Sequence, residues 1–144
     1  MRESTTVEPG PEVLSPFDTV VGRVGSAMCY DLRFPELALS LSRQKADCIL
    51  YPSAFAPETG KVHWMPLLQA RAIESQTYVI AAAQVGKHNE KRSSYGHSCI
   101  ISPWGEILTE LGGEQKDSPT VGFAEIDLER VQTIRREMPL MRRQ

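Results

Sequence analysis

The chain has 144 residues, 41% hydrophobic and 24% charged, which fits one compact domain and excludes an intrinsically disordered chain. Its 16 Lys+Arg and 18 Asp+Glu leave a formal charge of −2, so nothing points to nucleic-acid phosphates as a partner. No apolar run approaches the roughly 20 residues of a membrane span, and the polar, acidic start has neither the apolar core of a secretory signal nor an Arg-rich presequence.

Residues 1–18, with Pro9, Pro11 and Pro16, read as an extended lead-in. From Thr19 the pattern is β, with Val20, Val21, Val24 and Ala27 punctuated by Gly22 and Gly25. Two short strands, or a hairpin turning near Gly22, fit this, the second strand running to Cys29. Pro35-Glu36 is helix-start chemistry, and Leu37, Ala38 and Leu41 share one side of a helix over 36–45. Asp47–Tyr51 is a buried strand ending at Pro52, and 52–60 reads as a loop. A second helix spans about 63–76, on Met65, Leu68 and Ala72, and Tyr78–Gln84 is another continuous apolar strand. The charged stretch 86–95 reads as a loop. His97–Ser102 and Glu106–Leu111 form a hairpin about Pro103-Trp104-Gly105, and Val121–Ile126 reads as one more strand. Asp127 is the expected N-cap of a helix over 128–137 that stops before Pro139. The order β-α-β-α-β-β-β-α, with continuous apolar strands first, predicts an α/β fold with parallel pairing and right-handed crossovers. The domain-like part is 19–138, followed by a tail over 139–144.

Cys29, Cys48 and Cys99 are odd in number and far apart, which argues against a disulfide framework and for a reducing compartment. There is no CxxC or HxxxH spacing, and His97 with Cys99 makes too few ligands, so no metal site is expected. Cys48 and Cys99 lie within apolar strands and read as core. Cys29 differs: it ends a strand just before a helix start, where α/β sheets bind ligands and where a helix N-terminus favours the reactive thiolate. It is either a nucleophile or a buried strand-end residue. The following N–H, that of Tyr30, is placed to be an oxyanion donor. Asp31 and Arg33 form either a local salt bridge or cap, or, for Arg33, a fork for a substrate carboxylate. His63, His88 and His97 all lie downstream, and no Cys–His pair can be drawn from the sequence.

The segment Gly25–Glu36, containing CYDLRFPE, resembles the nucleophile segment of the nitrilase superfamily of carbon–nitrogen hydrolases. The likeness continues through Tyr51-Pro52-Ser53-Ala54-Phe55, His63-Trp64, Gln69–Glu74, Ala81–Gln84, Tyr95–Ser98 and Pro103-Trp104-Gly105, and covers nearly the whole chain. The blocks PSAF, ARAIE, AAAQ and EKRSSYGHS are most similar to the deaminated-glutathione branch of amidases. The omega-amidases, which act on 2-oxoglutaramate, share the first block but fit the later ones less well.

The resemblance implies an α-β-β-α sandwich of two sheets and amide hydrolysis through a Cys thioester by a Glu-Lys-Cys triad, without metal or organic cofactor. It assigns Cys29 as nucleophile, the Tyr30 N–H as oxyanion donor and Arg33 as holder of a substrate carboxylate, with Phe55 and Thr59 lining the pocket. It also implies a small-molecule amide as substrate, homo-oligomers of the complete protein, and a cytoplasmic location, or a mitochondrial one if a targeting segment precedes Met1. The family's Glu and Lys stand before the cysteine. No lysine precedes Cys29, and Glu3, Glu8 and Glu12 fall in the lead-in. The expectation is therefore about half of the sandwich, the C-terminal half, inactive alone and with strand faces left uncovered. A non-catalytic half-domain that pairs with complete subunits is the alternative.

Overall fold

A computed structural model describes residue 8, residues 10–114 and residues 120–140. Residues 1–7 and 9 of the expected lead-in, Glu3 among them, and the last four residues of the tail lie outside them. The elements in chain order are β1 (Phe17–Thr19), β2 (Gly22–Ser26), a 3₁₀ turn (Cys29–Arg33), α1 (Pro35–Arg43), β3 (Cys48–Leu50), α2 (Pro57–Ser75), β4 (Tyr78–Ala81), β5 (Val85–Asn89), β6 (Arg92–Tyr95), β7 (Cys99–Ile101), β8 (Ile107–Glu110) and α3 (Leu128–Glu137).

β1 and β2 form the hairpin expected near Gly22. The Thr19 hydroxyl donates to the Gly22 carbonyl at 2.7 Å and accepts the Val21 N–H at 3.1 Å. Gly22 sits at φ +100°, and a Cβ there would come within 2.6 Å of Leu128 Cδ2, so only glycine fits this turn beneath α3. The main sheet has the order β1-β2-β3-β4-β7-β8. β2, β3 and β4 run parallel, joined by α1 and α2, while β7 and β8 return antiparallel.

Strand alternation gives the sheet two different faces. Ala27, Ile49, Tyr51, Val79, Ala81, Cys99 and Ile101 point to one side and are buried with Leu41 of α1 and Trp64, Leu68 and Ala72 of α2. Val24, Cys48 and Tyr78 point to the other side, where Val131 of α3 covers them. Farther along that face Leu50, Ile80 and Ile100 are only half-buried. The sequence predicts these inner faces to be bare; α3 instead shields one end of them. Asp127 caps α3, accepting from the Glu129 and Arg130 N–H groups, and Arg135 ties the helix to the Ala46 carbonyl at 2.6 Å and to Asp47 at 3.6 Å.

Three local expectations differ from the structure. α2 begins at Pro57 rather than near His63, because Pro57 occupies the first helical turn, where its missing N–H costs nothing. The charged stretch 86–95 is not a loop: β5 and β6 pair as a separate hairpin. Residues 121–126 form no strand; the Thr109 hydroxyl reaches the Phe123 carbonyl there without a ladder.

Candidate active site

The site lies where β2, β3 and β4 end side by side. The ladder between β2 and β3 continues past both strands: the Ala27 N–H donates to the Leu50 carbonyl and the Cys29 N–H to the Pro52 carbonyl, both at 3.0 Å. Cys29 then turns sharply, with φ +43°. A left-handed conformation costs a non-glycine residue roughly 1–2 kcal/mol, so the surrounding bonds must hold it.

Asp31 supplies several of them. Its carboxylate accepts the Met28 N–H at 2.8 Å, its own N–H donates to the Met28 carbonyl at 2.8 Å, and its carbonyl accepts the Phe34 N–H at 3.0 Å. Of the two sequence readings for Asp31, the structure gives the cap. Tyr30 is the second residue of the turn, and the first N–H groups of a helical turn have no partner within it. The Tyr30 N–H is one of these and follows Cys29 directly in the chain, and Tyr30 as a residue is 49% exposed.

Arg33 closes the turn. Its guanidinium carbon lies 5.4 Å from the centre of the Tyr30 ring and 5.3 Å from that of Phe55, and one nitrogen is 3.2 Å from His63 Nδ1. Two aromatic faces hold such a cation by its charge and leave the remaining N–H groups for an anion. Phe55 is itself 6% exposed and packs on Trp64 at a ring distance of 4.8 Å. It thus shows an edge of core to the guanidinium. Thr59 lies in the first turn of α2, its hydroxyl donating to the Ala56 carbonyl at 3.3 Å. The structure brings Tyr30, Arg33 and Phe55 together on the turn that Cys29 opens, and puts Thr59 in the first turn of α2. On the outer side of this segment a cavity of about 680 Å³ opens, lined in part by Ala54, Ala56, Glu58, Gln84, His88 and Arg92.

The other two thiols are buried in the sheet. Burial, with help from the neighbouring Asp47 carboxylate, pushes Cys48 up to about 11. Burial and Glu110 push Cys99 up to about 12. Both stay protonated at neutral pH. Two of the histidines are engaged otherwise: Nδ1 of His97 is 2.8 Å from Glu110, and Nε2 of His88 is 2.7 Å from the Ser94 hydroxyl.

No sequence pattern singles out Arg71, which holds the turn at Leu32, or Tyr51, which lies within reach of the Arg71 charge. Both are buried, and Arg71 donates twice to the Leu32 carbonyl. The nearest signal is an arginine on the apolar stripe of α2 between Trp64, Leu68 and Ser75.

The carbon-nitrogen hydrolase family model matches residues 1–136. The chain belongs to that family. It is 54% identical over 140 residues to the deaminated glutathione amidase of Dictyostelium discoideum, covering 97% of this chain and 47% of that protein. Among solved structures, the Caenorhabditis elegans NitFhit protein superposes with a TM-score of 0.89 at 46% identity, over 97% of this chain and 33% of that one. A variant amidase from Nesterenkonia sp. AN1, which carries the acetamide moiety of fluoroacetamide on its active site cysteine, gives a TM-score of 0.70 at 29% identity, over 78% of this chain and 42% of that one. The chain spans about half the length, or less, of these curated relatives. The mixed sheet with helices on one side and a second face only partly covered is the architecture of about half of a nitrilase-type sandwich.

Proposed function

We propose that this chain carries the nucleophile of an amidase that opens a C–N amide bond through a thioester. Its substrate is deaminated glutathione or a similar 2-oxo-glutaramate amide. The observation that carries this reading is one half-buried thiol at a left-handed bend beyond parallel strands, opening a turn that ends in an aromatic-held guanidinium. The Cys29 sulfur attacks the amide carbon, and the Tyr30 N–H donates to the oxygen that becomes negative. The C–N bond then breaks and the amine leaves with a proton. Water cleaves the thioester, giving a carboxylate and restoring the thiol. Arg33 takes the substrate's carboxylate, and Phe55 and Thr59 bound the pocket. The general base and the cationic oxyanion partner are a Glu and a Lys, which the family places before the cysteine.

The test is alkylation of the folded chain, followed by peptide mass analysis. Iodoacetamide should modify Cys29 before Cys48 or Cys99. Arg33 should raise the rate of iodoacetate relative to iodoacetamide by about threefold over the same ratio for free cysteine, and Arg33→Gln should remove that preference. A Cys29 that reacts last overturns the nucleophile assignment. An unchanged ratio in Arg33→Gln overturns the carboxylate role.

The half-buried Leu50, Ile80 and Ile100 on the second face of the sheet favour a second reading, in which the chain is a non-catalytic half that pairs with complete subunits. Mixed oligomers on incubation with a full-length relative would favour it.

A further inference from the structure

Arg71 lies on the core-facing side of α2 and is 4% exposed. Its Nε and one terminal nitrogen donate to the same acceptor, the Leu32 carbonyl, at 3.0 and 2.8 Å. The other terminal nitrogen is 2.7 Å from the Glu74 carboxylate. Leu32 is fully buried and belongs to the end of the 3₁₀ turn that starts at Cys29. A carbonyl at such an end has no partner within its turn, and leaving it unpaired in the interior costs about 1–3 kcal/mol. Burying a guanidinium on a helix is also costly and repays itself only through good geometry and satisfied donors. A leucine on this stripe would pack without that penalty. The charge is spent on one carbonyl, and that carbonyl sits between Asp31, which caps the turn, and Arg33.

Tyr51 marks the same buried polar zone from below. Its hydroxyl is buried with no hydrogen-bond partner among the described residues. Burial pushes its pKa up, the nearby Arg71 charge pulls it down, and Asp31 and Glu74 push it up again. Arg71, Glu74 and Asp31 thus gather within electrostatic reach of one point under the turn.

We propose that Arg71, oriented by Glu74, is a positioning residue for the reaction: by clamping the Leu32 carbonyl it fixes the turn that sets Cys29 and Arg33 relative to each other. This rests on the amidase reading for its consequence in chemistry, though not for its structural part. Without the clamp the turn opens locally, and the left-handed Cys29 relaxes toward ordinary backbone. The sulfur and the guanidinium then lose their fixed separation while the sheet stays folded.

The experiment compares the chain with Arg71→Met, Arg71→Lys and Glu74→Gln. Amide hydrogen exchange is read at Asp31 and Phe34 and divided by that at Ile49 and Val79 in the sheet, so that a uniform loss of stability cancels. Arg71→Met should speed exchange of the turn relative to the sheet by about tenfold. Arg71→Lys, which can still donate to the carbonyl, should restore part of the protection, and Glu74→Gln should give a smaller change in the same direction. The iodoacetate-to-iodoacetamide rate ratio at Cys29 should fall in step. A turn-to-sheet exchange ratio within roughly twofold of the original in Arg71→Met overturns the proposal. If Arg71→Met does not fold, an unchanged ratio in both other variants overturns it equally. Should the original chain lack the iodoacetate preference, the carboxylate role of Arg33 falls, and exchange alone still decides the clamp.

Discussion

The three thiols occupy one sheet yet differ in what surrounds them. Cys48 and Cys99 face packed side chains and a nearby carboxylate each, whereas Cys29 sits half-buried at the exit of β2. Cys48 and Cys99 titrate above their ordinary value of 9.0 in the folded chain. Their contribution to stability is whole below that value. It is lost as pH rises through the window from 9.0 toward 11 and 12, because the unfolded chain releases these protons first. The melting temperature should therefore fall across that window, and Cys48→Ala should flatten the fall; a slope unchanged in Cys48→Ala would locate the effect elsewhere. Cys29 was legible as the odd thiol because its place between an apolar strand and Pro35-Glu36 is a local pattern. Phe55 was legible only through the family resemblance, because its contact with Arg33 exists only once β2 and β3 lie side by side. Arg71 was illegible for a related reason: the letters show an arginine on a helix, and only packing shows which carbonyl it meets.

Among the elements, α3 and α2 illustrate opposite cases. The Asp127 cap and the stop before Pro139 are signals local to α3, and the helix runs over the residues they predict. Asp127→Ala should cost about 1 kcal/mol, lower the melting temperature and loosen α3 over Tyr78, while Asp127→Asn should retain most of the stability. The start of α2 was hidden because Pro57 and Gly60 read as loop residues. Gly60 is in fact a packing residue. A Cβ there would come within 2.4 Å of Tyr95 Cγ, so the glycine lets α2 lie against β6. Gly60→Ala should destabilise the chain by about 1–3 kcal/mol through overpacking, a loss measurable by denaturant unfolding. The hairpin β5–β6 gave no sequence signal because both of its faces are largely polar and no alternation marks it. The apolar residues Val121, Phe123 and Ile126 gave a false one, since alternation does not supply a neighbouring strand to pair with.

At the scale of the molecule, and among the described residues, the sheet is finished on one side and only partly covered on the other. Helices bury the first face, and α3 covers only the Val24–Cys48–Tyr78 end of the second. Leu50, Ile80 and Ile100 remain half-buried, and each such side chain forfeits part of the roughly 1.5–3 kcal/mol that full burial gives. The isolated chain should accordingly associate with rising concentration in sedimentation measurements, and Ile80→Glu with Ile100→Glu should reduce that association. A monomer at all concentrations with a sharp melt would show that the face needs no cover. The amphipathic helices and continuous apolar strands made the fold class readable from the sequence. The extent of cover on the second face was not, because it depends on where α3 docks.

The bond from the Cys29 amide to the Pro52 carbonyl has a bearing on how such a protein can diversify. It anchors Cys29 to the spacing of adjacent strands, a fixed length that loop sequence does not alter. Segments beyond Pro52 are then at liberty to lengthen, shorten or change character while the thiol stays in place.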